Sequence, residues 1–169
     1  MPDYGEWDKL HLANLRYDLR LAFEKRKSEG FLVKDMEALV GRAHGFLALL
    51  HDDTRIPWEW HWSTLHDLAK ALHVSLVVDL DVKHLMITPM LALGYEQQHF
   101  LGVGILDALR ATRLAQGMSL EWFGEHRMGL SKSGVFKLEI SNDPKIYSMQ
   151  RYARGLGGKL SFKIGEKNV

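Results

Sequence analysis

Between Gly117 and Ser133 the chain spells a helix start, a stop and a second start in quick succession. Ser119 is placed to cap a short helix, Gly129 to end it, and Ser131 to cap the next one two residues later. A Ser oxygen satisfies the orphan N–H groups at a helix start, and Gly accepts the left-handed backbone of a tight helix stop. Two helices this short cannot bury their apolar faces alone. A helix must precede them (Ile105, Leu106, Leu109) and another must follow (Met149, Tyr152, Ala153, Leu156). The spacing predicts a helix-turn-helix, with the second helix exposed.

Several separated segments then match one family in the right order. Leu109-Arg-Ala-Thr-Arg113, Gly117-Met-Ser119, Met128-Gly-Leu-Ser-Lys-Ser-Gly-Val135, Lys137-Leu-Glu139 and Tyr152-Ala-Arg-Gly-Leu-Gly157 resemble the Cro/repressor-type helix-turn-helix family. That family includes phage immunity repressors and antitoxins, and the resemblance covers roughly residues 105 to 164. It implies binding of double-stranded DNA, with Lys132, Ser133 and Lys137 at base-contacting positions and Ser131 and Asn142 near phosphates. One departure is visible. The helix from Ser119 to Met128 is one residue longer than usual, with Gly124 where the family mostly has Ala.

Charge is distributed as phosphate binding would require. The net charge of +1 hides an asymmetry: residues 1–84 carry 11 Lys and Arg against 14 Asp and Glu, and residues 85–169 carry 11 against 7. The half with the family match is the basic half. Hydrophobic residues make up 46 % of the 169, enough for a core in one domain or two small ones. No apolar run reaches about 18 residues, so no membrane span is expected. The polar start and the absence of Cys favour a cytoplasmic protein without disulfides or Cys-ligated zinc.

The chain also repeats itself. Trp62, Leu65, Leu68, Ala69, Leu72, Leu76 and Val78 superpose on Ile146, Met149, Tyr152, Ala153, Leu156, Leu160 and Phe162 at a constant offset of 84, and Gly41 corresponds to Gly129 at an offset of 88, the difference of four falling to a longer loop around Asp52 to His61. The expected fold is mainly α: two tandem helix-turn-helix domains of four to five helices, each ending in a short strand. Boundaries fall at residues 1–81 for a degenerate N-terminal domain, 82–102 for a linker and 103–169 for the C-terminal domain. The terminal segments, Ser75–Leu80 and Lys159–Ile164, alternate as strands do. They can pair with each other as an intramolecular ribbon, pack on their own domains, or pair with another molecule.

The two exposed helices differ. In the second copy Val135 and Leu138 face inward at 100° per residue, leaving Lys132, Ser133, Phe136 and Lys137 elsewhere on the surface. Lys suits guanine O6/N7 and Phe136 a thymine methyl, or the lysines are merely solvated and Phe136 packs on its neighbours. Lys145 is assigned to phosphate. In the first copy the equivalent helix is expected over Ala43–Leu50, with Phe46, Leu47, Leu49 and Leu50 as core. Arg42, His44, Gly45 and Ala48 are left to meet DNA, or the copy is kept for packing alone.

Weaker signals carry less. Trp58, Trp60 and Trp62 share one side of an extended loop after Pro57, to plug the junction between the repeats or to meet a partner. His61, His66 and His73 fit no zinc spacing, and no nucleophile–base set or carboxylate pair suggests catalysis. No metal, cofactor or enzymatic activity is expected. The expected function is sequence-specific repression of transcription, of the phage immunity type, by a monomeric pseudo-dimer on an asymmetric operator rather than by a homodimer. The alternative is an antitoxin-like protein whose N-terminal half binds a protein partner while the C-terminal half binds DNA.

Overall fold

The computed structural model describes residues 4–89, 91–92 and 101–166, and it is mainly helical with one two-stranded sheet. Its elements are α1 (Tyr4–Ser28), α2 (Val33–Leu39), 3₁₀ turns at Phe46–Leu50 and Pro57–Glu59, α3 (Trp62–Ala71) and β1 (Val74–Asp81). There follow α4 (Leu101–Ala115), α5 (Leu120–Phe123) running on into a π-helical turn (Gly124–Met128), α6 (Lys132–Glu139), α7 (Ile146–Gly155) and β2 (Lys159–Glu166).

The strands pair with each other. Ser75 Oγ donates to the Gly165 carbonyl at 3.2 Å, and Gly158 abuts Asp81 so closely that a Cβ there would run into its carbonyl oxygen. One strand's numbers fall as the other's rise, so the pair is antiparallel. Of the three pairings open to the sequence, the intramolecular ribbon is the one formed.

Two compact units result: residues 1–78 with 162–169, and residues 79–161. These limits differ from a simple cut at residue 81. Phe162, two-thirds of the way along the C-terminal repeat's own alternation, belongs to the N-terminal unit. Its ring stacks on His11 at 6.3 Å and lies 6.3 Å from Trp62, and its N–H donates to His11 Nε2 at 2.8 Å. In the same unit Leu12, Leu15, Leu19, Leu65, Leu68 and Leu72 are buried. The segment expected as a linker, 82–102, is partly outside the described residues (90 and 93–100). Its first part is packed: Val82 is buried, and the Met86 N–H donates to Thr112 Oγ1 at 2.9 Å.

The Trp-rich loop serves the N-terminal unit's core. Trp60 and Trp62 are 5 % and 3 % exposed, their indole N–H groups have no partner, and the Lys9 ammonium sits 5.5 Å over the Trp58 ring. In the second unit Ile105, Leu109, Phe123, Val135, Ile146, Met149 and Tyr152 form the core, one face from each of four helices.

Candidate nucleic-acid interface

The caps stand where the sequence places them. Ser119 Oγ accepts from the Trp122 N–H at 3.1 Å, Ser131 Oγ accepts from the Gly134 N–H at 3.0 Å, and Gly129 is left-handed with φ 63°. Together they set α5 and α6 on either side of a short turn.

The first of these helices ends in a wider turn than the others do. After other helices the chain closes on itself across five residues: Phe31 N–H to Arg26 O, Met118 N–H to Arg113 O and Gly158 N–H to Ala153 O. Before α6 the closing bond spans six, from Leu130 N–H to Gly124 O at 2.9 Å. The longer closure goes with the π turn Gly124–Met128, where the helix widens before α6. Gly124 is required there, because a Cβ would come within 2.6 Å of the Leu130 carbonyl oxygen and 3.0 Å of Val135 Cγ2. We expect Gly124→Ala to destabilise this unit by about 1–3 kcal/mol, as overpacking does. Chemical denaturation checks it, and an unchanged midpoint would show that the turn can shift freely.

A buried ion pair fixes α6 at its other end. The Glu139 side chain, 2 % exposed, takes hydrogen bonds from Arg113 Nε at 2.8 Å and from the Tyr152 hydroxyl at 2.6 Å. Arg113 Nη2 reaches its second oxygen at 3.3 Å, Arg110 Nε lies 3.6 Å away, and Arg113 Nη1 donates to the Met118 carbonyl at 2.6 Å. Three helices, α4, α6 and α7, are thus tied at one carboxylate. Burial works against the Arg113 charge, but the bonds to Glu139 and Tyr152 outweigh it and hold the guanidinium above its ordinary value.

Burial, and after it the bond to Glu139, pushes the Tyr152 phenol far above its ordinary value, against the pull of Arg113. The folded chain therefore holds this proton more tightly than the unfolded chain does. Its contribution to stability is intact below about pH 10 and is lost as pH rises beyond that, by about 1.4 kcal/mol per pH unit. Tyr152→Phe should flatten the alkaline limb of a stability–pH curve by that slope. An unaltered slope would show that the phenol ionises in the folded state.

On the outside of α6 the arrangement is open. Lys132, Ser133 and Lys137 are exposed and Phe136 is half exposed, within an arc of about 140°. Val135 is fully buried on the opposite side. Asn142 and Lys145 are exposed in and just after the loop that follows. Ile140, 60 % exposed and one residue past the end of α6, continues the same face and is not among the residues the sequence marks. The sidewall is not uniformly basic: the hollow holding Lys132 and Ser131 is also lined by Glu121 and Glu125 of the preceding helix and its π turn. Beside them Trp122 stacks on His126 at 4.7 Å, with the Arg127 guanidinium 5.5 Å from the Trp122 ring.

The first copy departs from expectation. The helix expected over Ala43–Leu50 is a 3₁₀ turn, Phe46–Leu50. Gly45 has φ 92°, and the Leu47 N–H, which an α-helix would join to Ala43 O, donates instead to the buried Glu37 carboxylate at 2.9 Å. Leu47 and Leu50 are buried as expected, with Phe46 and Leu49 half-buried. Arg42 is engaged elsewhere: its Nε donates to Asp67 at 2.8 Å and its guanidinium lies 4.9 Å from the Phe46 ring. His44, Gly45 and Ala48 are exposed, and His44 Nδ1 lies 3.6 Å from Glu37. Among the described residues no three His, Asp or Glu side chains are grouped to hold a metal ion, and no helix is long and apolar enough to cross a membrane.

No protein-family model, curated protein or solved structure matches this chain.

Proposed function

We propose that the chain is a sequence-specific double-stranded DNA-binding protein of the helix-turn-helix kind, acting as a transcriptional repressor by occluding an operator. The observation that supports this most is the contrast between the two sides of α6. Its inner side is held by Val135 and the Glu139 network, its start is capped by Ser131, and its outer side offers Lys132, Ser133, Phe136 and Lys137. A helix anchored so firmly while presenting donors and an aromatic edge suits insertion into a major groove. Asn142 and Lys145 would meet phosphates and set its register.

The reading gives base recognition to the C-terminal copy. The N-terminal copy has no α-helix at the matching place, and its one cation there is paired with Asp67, so a supporting role suits it better. An asymmetric site read by one α6 per chain follows.

Selection of bound sequences from a random duplex pool tests this directly. One enriched asymmetric motif is expected, and no enrichment at low salt would defeat the proposal. Lys132→Ala should then weaken binding to that motif by about 1–3 kcal/mol and relax preference at one or two positions. Lys145→Ala should weaken all sequences alike and reduce the slope of log affinity against log salt by about one.

A further inference from the structure

The helix α1 has two apolar sides and the N-terminal unit covers one of them. Leu12, Leu15, Leu19 and Phe23 face the core, and among them Leu12 and Leu19 have no exposed surface. On the opposite side, about 200° around the helix, Trp7, Leu10, Tyr17 and Leu21 are 70 %, 62 %, 58 % and 52 % exposed. With the exposed Asn14 they recur at intervals of three, four, three and four residues. That is the heptad seam of a helix that packs against another helix.

We propose that this seam pairs with α1 of a second copy of the chain, the two helices running antiparallel. Two observations favour that occupant, and the first of them that direction. The first is charge. One flank of the seam carries Glu6, Ala13, Arg20 and Lys27 at successive seven-residue steps, acidic at the start and basic at the end. An antiparallel neighbour sets each Glu6 beside the basic end of the other helix, whereas a parallel one sets Arg20 near Lys25 of its mate. The ion pairs these groups already make are long, Glu6 with Lys9 at 3.6 Å and Lys27 with Glu24 at 3.9 Å, and the Lys27 ammonium also lies 5.2 Å from the Phe23 ring. The second observation is area. Four large side chains more than half exposed offer on the order of 500 Å² per chain, so a pair with its flanks reaches about the lower limit of a specific interface.

Self-association in the micromolar range is expected from an interface of this size, roughly at the low end of specific complexes. It uses no residue of α6. Each chain would still read one site through its own α6, in place of the expected monomeric pseudo-dimer, and paired chains can hold two such sites at once.

The test uses the full chain without DNA, so its failure leaves the proposed function standing. Sedimentation equilibrium at up to about 100 μM should show a dimer. Leu10→Glu with Tyr17→Glu should weaken dimerisation at least tenfold, with circular dichroism unchanged because both side chains are mostly exposed. Direction is read with spin labels, which the absence of native Cys makes simple. A mixture of chains labelled at Glu6→Cys and at Lys27→Cys should give the shortest distances. Like-labelled pairs should lie farther apart, since the two positions are separated by about 30 Å along one helix. A chain that stays monomeric, a dimer indifferent to the glutamates, or like labels in closest approach would each overturn the proposal.

Discussion

Glu139→Ala is expected to lower the unfolding free energy of the C-terminal unit by about 3–5 kcal/mol, the largest effect of any surface-distant single change in α6. The reason is what remains behind. Arg113 is 3 % exposed and would keep its charge with neither carboxylate oxygen to receive it, and the buried Tyr152 hydroxyl would lose its acceptor. Removing one partner of a buried pair costs more than the pair itself is worth, because the second charge stays desolvated. Replacing all three together, Glu139→Leu with Arg113→Met and Tyr152→Phe, should recover much of the loss. Urea unfolding followed at Trp122, the one Trp of that unit, measures both. A loss under about 1 kcal/mol, the size of an exposed ion pair, would mean that solvent reaches the network. DNA binding should suffer along with stability, since the same carboxylate holds the end of α6.

That network also marks what the sequence makes legible. Caps and stops are local: Ser119, Gly129 and Ser131 satisfy or release backbone groups within three residues of themselves, so a spacing argument reaches them. The π turn at Gly124 is not local in that sense, because its form depends on the contact with Leu130 and Val135 across the turn. The first copy's Ala43–Leu50 segment misled because its apolar spacing fits a helix, and periodicity does not register a buried carboxylate competing for the Leu47 N–H. Helix α1 gives little amphipathic signal, because two opposite apolar stripes cancel. One stripe alone would have stood out.

Strand β2 poses the other kind of limit. Its alternation says that Leu160 and Phe162 are buried on one face, but alternation carries no address. Leu160 lies in the C-terminal unit, where its carbonyl accepts from Gln150 at 3.4 Å, and Phe162 two residues later lies in the N-terminal unit against His11 and Trp62.

Phe162→Ala should therefore destabilise a unit remote from it in sequence. The ring is 2 % exposed, and deleting a buried Phe side chain costs about 3–5 kcal/mol through lost transfer energy and the cavity left between Trp62 and His11. Four of the five Trp residues, Trp7, Trp58, Trp60 and Trp62, report on that unit, and Trp122 reports on the other. Hydrogen exchange resolved by residue separates them further, because amides that open with the N-terminal unit should lose protection in α1 and α3. Protection in α4, α6 and α7 should change by less than about 1 kcal/mol, the scale of independent sites. His11→Ala should reproduce part of the same pattern, since it removes the acceptor of the Phe162 N–H and one stacked ring. Loss of protection concentrated in α7 and α4 would place Phe162 in the core of its own repeat. Equal loss everywhere would mean that the two units unfold as one.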